Sequence, residues 1–165
     1  MKRILVIGAG RSSSTMIKYF LNHSQKENWL IRVGDMQLSV AQEKVGNHKN
    51  GEAFEFNALN QDERAAEIAK ADIVISMLPA RFHLEVVRDC IKYKKNVITP
   101  SYITKEMKAL NEEIEEAGII AMNEMGLDPG IDHMSAMKIL DDIEDMGGCI
   151  KGFESFTGGL IAPES

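Results

Sequence analysis

Ile4-Leu5-Val6-Ile7-Gly8-Ala9-Gly10-Arg11-Ser12-Ser13 is the stretch that decides the fold. Four aliphatic residues in a row read as a parallel strand buried on both faces. The glycines follow the strand without a gap, and Met16, Ile17, Phe20 and Leu21 then recur at helical spacing. Gly8 permits a tight turn, and Gly10 lets the backbone approach a diphosphate with no Cβ in the way. The helix opening behind them offers free N–H groups and the positive end of its dipole. Ser13 stands where the usual fingerprint has a third glycine, and Ser12 and Ser13 could add hydroxyl donors. Arg11 is placed to stack on a base or meet a phosphate.

Outward from that turn the chain alternates. Strand-like runs are expected at 30–33, 52–56, 73–77, 96–99 and 119–122. Helices are expected at 13–21, 39–45, 60–70, 83–92 and 105–117. Asn60 and Glu63 are spaced as a capping box, and Gly118 follows the Met107, Leu110, Ile114, Ala117 stripe as a helix stop. Six strands with intervening helices predict a Rossmann-type doubly wound α/β sheet of order 3-2-1-4-5-6. Asp35 closes the second strand, near the place where a carboxylate accepts from the ribose hydroxyls of an adenine dinucleotide. The same carboxylate would repel a 2′-phosphate, and Met36 and Gln37 bring no cation, so NAD is expected, with NADP left open through Arg11. The bland alternative for Asp35 is a turn or N-cap aspartate.

Whole-chain properties bound the reading. The 165 residues carry a formal net charge of -6 with 27% charged and 44% hydrophobic residues. Acidity argues against a nucleic-acid partner, which normally meets a basic face. The apolar run at the start is too short for a signal peptide, and nothing approaches the ~18 apolar residues of a membrane span. Cys90 and Cys149 have no metal-ligand spacing, so reduced thiols and a cytoplasmic location are expected.

After Met122 the character changes. Residues 123–133 form a polar, turn-rich loop, followed by an expected helix at 133–146 and a strand at 150–156. A lone helix and strand cannot bury a core of their own. Residues 1–124 therefore read as the dinucleotide-binding domain, and 125–165 as the beginning of a second, truncated α/β domain. Ligands of such sheets lie beyond the carboxyl ends of the strands, where three loops gather: Ser76-Met77-Leu78-Pro79 with Phe82-His83, then Ser101-Tyr102, then Asn123-Glu124-Met125-Gly126-Leu127-Asp128-Pro129-Gly130-Ile131-Asp132-His133.

These loops, in this order and joined by Gly158-Gly159-Leu160 and Ala162-Pro163-Glu164, resemble the saccharopine dehydrogenases of the glutamate-forming type. The resemblance implies NAD(P)-linked hydride transfer from the C–N carbon of saccharopine, giving glutamate and aminoadipate semialdehyde. It places Leu78 and Pro79 beside the cofactor, Tyr102 and Asp128 at the reaction centre, and Ser101, Tyr102, Asp128 and Thr157 against the amino-acid substrate. Thr157 occupies the position of a family cysteine and brings no titratable thiol. The family also implies a homodimer built through its substrate domain. Other readings are a related synthase reducing an imine of a carboxylated polyamine, and a non-catalytic NAD-binding module. Tyr102 as a sheet-edge aromatic and Asp128 as a turn aspartate are the structural alternatives. Glu124, Asp128, Asp132 and His133 lack the spacing of a metal site, and none is expected. Beyond residue 120 the cations are Lys138 and Lys151, too few to hold a tricarboxylate, so this chain alone is expected to bind dinucleotide without turnover.

Overall fold

The computed structural model describes residues 1–156 and 158. Thr157 and residues 159–165 lie outside them, and with them fall the expected substrate contact at Thr157 and the tail motif. Six strands run parallel: β1 (Lys2–Ile7), β2 (Trp29–Asp35), β3 (Gly51–Glu55), β4 (Ile73–Ser76), β5 (Asn96–Ile98) and β6 (Ala121–Met122). Their order is β3-β2-β1-β4-β5-β6, as the alternation predicts. The helices are α1 (Ser14–Ser24), α2 (Leu38–Val45), α3 (Gln61–Lys70), α4 (His83–Tyr93), α5 (Lys105–Lys108), α6 (Asn111–Ala117) and α7 (Ile131–Asp145).

Side chains of β1 alternate between two cores, which is why its sequence is unbroken apolar. Leu5 and Ile7 join Phe56, Val74, Val86, Val87 and Val97 on one face. Ile4 and Val6 join Ile17, Leu21, Ile31, Val33 and Ile75 on the other. β1 has β2 on one side and β4 on the other, so chain connections leave it in opposite directions. That divergence opens a crevice at its carboxyl end, over Gly8.

Three local expectations are corrected. The stripe from Met107 to Ala117 is buried on one face, but the helix breaks at Ala109-Leu110 into α5 and α6. The strand at 150–156 does not form, and among the described residues no strand lies beside it. Asn60 does cap α3, its Oδ1 accepting from the amides of Asp62 and Glu63. Glu63, however, reaches back to the Asn57 amide at 3.1 Å and not to Asn60. The box closes one turn earlier because residues 57–60 are themselves a turn, in which Asn60 N–H is already taken by the Asn57 carbonyl. Behind it, buried Arg64 ties α3 to α4, donating from Nε to Asp89 at 2.6 Å and from Nη1 to the Ala58 carbonyl at 2.8 Å.

Candidate functional site

The glycine turn is held by its neighbours in the sheet. Gly8 adopts φ +97°, the left-handed region that favours glycine, and a Cβ there would lie 3.1 Å from the Met77 carbonyl oxygen of the β4 exit. Its amide donates to the Gly34 carbonyl at 2.8 Å. Gly10 is different: its φ is -61° and a Cβ would meet nothing within 4 Å. Any residue could adopt that backbone, so what glycine provides at position 10 is open space in front of the helix. A short 3₁₀ turn over Arg11–Ser13 leads into α1, and its first amides precede any intrahelical acceptor. Ser12 and Arg11 are exposed there, whereas Ser13 is fully buried and its Oγ donates to the Gly10 carbonyl at 2.8 Å. The Ser13 hydroxyl thus closes the turn from inside.

Asp35 sits across from this turn. Its Oδ2 accepts from the Ala9 amide at 2.8 Å and its Oδ1 from the Gln37 amide at 3.0 Å. These bonds are those of a turn-forming aspartate, and they fix the half-exposed carboxylate in orientation. Beside it runs an apolar cleft of about 240 Å³, lined among others by Gly8, Gly34, Met36, Leu59, Leu78 and Phe82, with Asp35 at its polar edge. Leu78 and Pro79 line the same cleft.

Sequence reading missed the floor of this cleft. A Cβ on Gly34 would come within 2.9 Å of both Phe54 and Phe56, whose rings meet edge to face at 5.6 Å. The available signal was a glycine inside a strand pattern, which marks a close approach.

The second and third loops converge as expected. Glu124 donates its amide to the Ser101 carbonyl and its carboxylate accepts from the Ile103 amide at 3.2 Å. These bonds bring Tyr102 and Asp128 together, the phenol donating to Asp128 Oδ1 at 2.7 Å. Donation to a carboxylate favours the protonated phenol and, helped by desolvation, pushes the Tyr102 pKa above its ordinary 10.0. Asp132 raises His133 in the same way, through a 2.8 Å hydrogen bond. Gly130 and Gly126 pack backbone to backbone beneath this loop, with Gly130 at φ +148°. Asp128 borders two open clefts, one of about 370 Å³ with Tyr102 and His133, the other of about 850 Å³ running past Met125 and Pro100 to Ser12 and, on α1, Thr15. The larger one runs from Ser12, in the 3₁₀ turn that follows the glycines, to Asp128.

His83 opens α4, as the expected helix at 83–92 implies, and its ring is buried, with Nδ1 2.9 Å from Ser76 Oγ and Nε2 2.9 Å from Ser101 Oγ. Desolvation lowers its pKa, so the ring stays neutral. Among the described residues no group of three His, Cys, Asp or Glu side chains is arranged to hold a metal ion.

Order of strands, glycine crevice and carboxylate-edged cleft define a Rossmann-type domain built to take a dinucleotide. A family profile described as the saccharopine dehydrogenase NADP binding domain matches residues 4–122, and one described as the saccharopine dehydrogenase C-terminal domain matches residues 126–165. The chain belongs to the saccharopine dehydrogenase family. It is 39% identical over 165 residues to the mitochondrial alpha-aminoadipic semialdehyde synthase of Bos taurus, covering 99% of this chain and 17% of that protein. With the saccharopine dehydrogenase [NADP(+), L-glutamate-forming] of Schizosaccharomyces pombe it shares 37% identity over 166 residues, covering 99% of this chain and 36% of that protein. The apo saccharopine dehydrogenase (L-Glu forming) of Saccharomyces cerevisiae superposes with a TM-score of 0.79 at 33% identity, over 89% of this chain and 32% of that one. The chain therefore spans between 17% and 36% of the length of these two curated relatives. No described helix is long and apolar enough to cross a membrane.

Proposed function

We propose that this chain is the cofactor-binding part of an NAD(P)-dependent oxidoreductase that acts on saccharopine in lysine metabolism, yielding glutamate and aminoadipate semialdehyde. The observation that carries the proposal is the cleft over Gly8 with Asp35 fixed at its edge. The residues present fit an adenine dinucleotide: an apolar seat between Met36, Leu59 and Phe82, a carboxylate for the ribose diol, and unobstructed amides beyond Gly10 for the diphosphate. The dinucleotide, when bound, supplies the hydride acceptor. Asp35 favours NAD over NADP, because its carboxylate would face a 2′-phosphate at close range. The names of the family profile and of the fungal relatives point toward NADP.

Tyr102 and Asp128 serve the substrate carbon–nitrogen bond. At neutral pH Tyr102 Oη holds its proton and donates it to Asp128 Oδ1, which keeps the carboxylate oriented. Oxidation leaves an imine, and a carboxylate at that place can take a proton from the water that adds to it. Ser101 and Thr157 would contact the substrate, and the tricarboxylate's cationic partners would come from the rest of the whole protein. Division of the whole protein at 124/125, with residues 125–165 opening a substrate and dimerisation domain, is supported by the gap between the two family matches. Exposed Ile131, Met134 and Met137 on α7 support burial of that helix in such a domain and a homodimeric whole. The free thiols of Cys90 and Cys149 support a reducing compartment, the cytoplasm.

Titration calorimetry of this chain with NADH and NADPH tests the proposal. Binding of both is expected, NADH the tighter, with no NADH formed from saccharopine until the whole protein is used. Absence of heat with either dinucleotide would refute it.

A further inference from the structure

His83 opens α4, yet it is 2% exposed and lies between two serines from different strand ends. A neutral imidazole carries one N–H, so one serine donates to the ring and the other accepts from it. Ser76 decides which. Its side chain is fully buried, and among the described residues His83 Nδ1 is the one hydrogen-bond partner of its Oγ. Were Nδ1 protonated, the Ser76 hydroxyl hydrogen would point into packed side chains with no acceptor, an arrangement that buried polar groups avoid. With Nδ1 bare, Ser76 donates to it, the ring proton sits on Nε2, and Nε2–H donates to Ser101 Oγ.

Ser101 is then constrained on three sides. Its amide donates to Thr99 Oγ1 at 3.3 Å, its carbonyl accepts from the Glu124 amide at 3.0 Å, and its Oγ accepts from His83. Its own hydroxyl hydrogen has no acceptor among the described residues. Ser101 is half-buried, directly before exposed Tyr102, so that hydrogen is available to a ligand. We propose that His83 is a positioning residue which, with its tautomer set by Ser76, occupies one lone pair of Ser101 Oγ and leaves the Ser101 hydroxyl hydrogen to donate toward an sp² oxygen of the bound ligand. The acceptor is a carboxylate of the amino-acid substrate or the carboxamide carbonyl of the dinucleotide; what occupies the site rests on the reading under Proposed function.

Two measurements test this. In the unsubstituted chain, ¹⁵N spectra of the histidine rings, assigned by replacing His23, His48 and His133 in turn, should show His83 neutral with Nε2 protonated and Nδ1 bare. An Nδ1–H ring or a charged ring at neutral pH overturns the proposal, whatever the variants do. Next, Ser101→Ala should weaken one of two constants by roughly tenfold. A higher Kd for NADH on this chain identifies the carboxamide, and a higher KM for saccharopine on the whole protein identifies the carboxylate. No change in either overturns the proposal. His83→Gln, whose amide nitrogen reaches the place of Nε2, should retain most affinity, and His83→Asn, which reaches only the place of Nδ1, should lose as much as Ser101→Ala. In the Ser101→Ala background His83→Asn should add no further loss; additive losses would make His83 merely structural. If the unsubstituted chain binds no dinucleotide, the functional reading fails while the tautomer result stands by itself.

Discussion

Replacing Asp35 by alanine perturbs fold and ligand choice through the same two oxygens, and the size of each effect can be worked out. The Ala9 amide, on a fully buried residue, loses its acceptor 2.8 Å away. A buried donor left unmade costs about 1–3 kcal/mol. The Gln37 amide is exposed and rehydrates, adding little. At ~2–4 °C per kcal/mol for a chain of this size, Tm should fall by roughly 3–10 °C. Dinucleotide binding moves in opposite directions for the two cofactors. NADH loses a charge-assisted contact to its ribose diol, about 1.5–3 kcal/mol, or roughly ten- to a hundredfold in Kd. NADPH is relieved of repulsion between unit charges some ~4 Å apart, worth about 1–4 kcal/mol between bulk-water and protein-surface screening. The NADH-to-NADPH preference should therefore swing by roughly a hundredfold or more. Calorimetry with both cofactors, beside a thermal melt, measures all three quantities. If Tm falls but both affinities keep their values, Asp35 only caps the glycine turn and the ribose assignment is wrong.

Further tests separate groups that lie close together. Gly10→Ala should leave Tm unchanged or slightly raised, since its φ of -61° suits any residue and its Cβ is unopposed, while dinucleotide affinity falls about tenfold or more. Gly8→Ala should do the converse first, lowering stability by about 1–2 kcal/mol in a melt through its φ of +97° and the crowding against Met77. Equal melts for the two variants would contradict the geometry. For Tyr102, ultraviolet titration of the three tyrosines should show one phenol ionising above the usual ~10, and Asp128→Asn should return it. Because the folded pKa is the higher one, the stabilisation from this pair is whole below the unfolded pKa and lost as pH rises through the folded value.

What could be read from the sequence follows from how local each signal is. The strand–turn–helix at 4–17, the carboxylate at 35 and the strand order depend on patterns within one βαβ unit or on rules of connection, and all stand in the structure. The Tyr102–Asp128 contact spans 26 residues and came from family resemblance, because spacing alone cannot bring two loops together. The burial of His83 was not legible because its two serine partners come from β4 and from the loop after β5; only the adjacency of those strands encloses the ring. The break in the helix at 105–117 was hidden for another reason. Its apolar stripe holds through Ala109-Leu110, since both halves pack on the same core, so periodicity does not register the change of axis. Residues 150–156 offer Ile150, Phe153 and Phe156 at a spacing of three rather than strand alternation, and no neighbour supplies a ladder among the described residues.

The absent side chain at position 34 has a use of its own. Phe54 and Phe56 settle into the room it leaves, and Phe56 lines the cleft proposed as the nucleobase seat, so its breadth depends on where that ring comes to rest. Adjusting the aromatic pair from beneath would narrow or widen that seat while sparing the sugar-binding carboxylate and the diphosphate turn. If the proposed complex holds, base tolerance and sugar recognition would be set by different side chains of one small crevice.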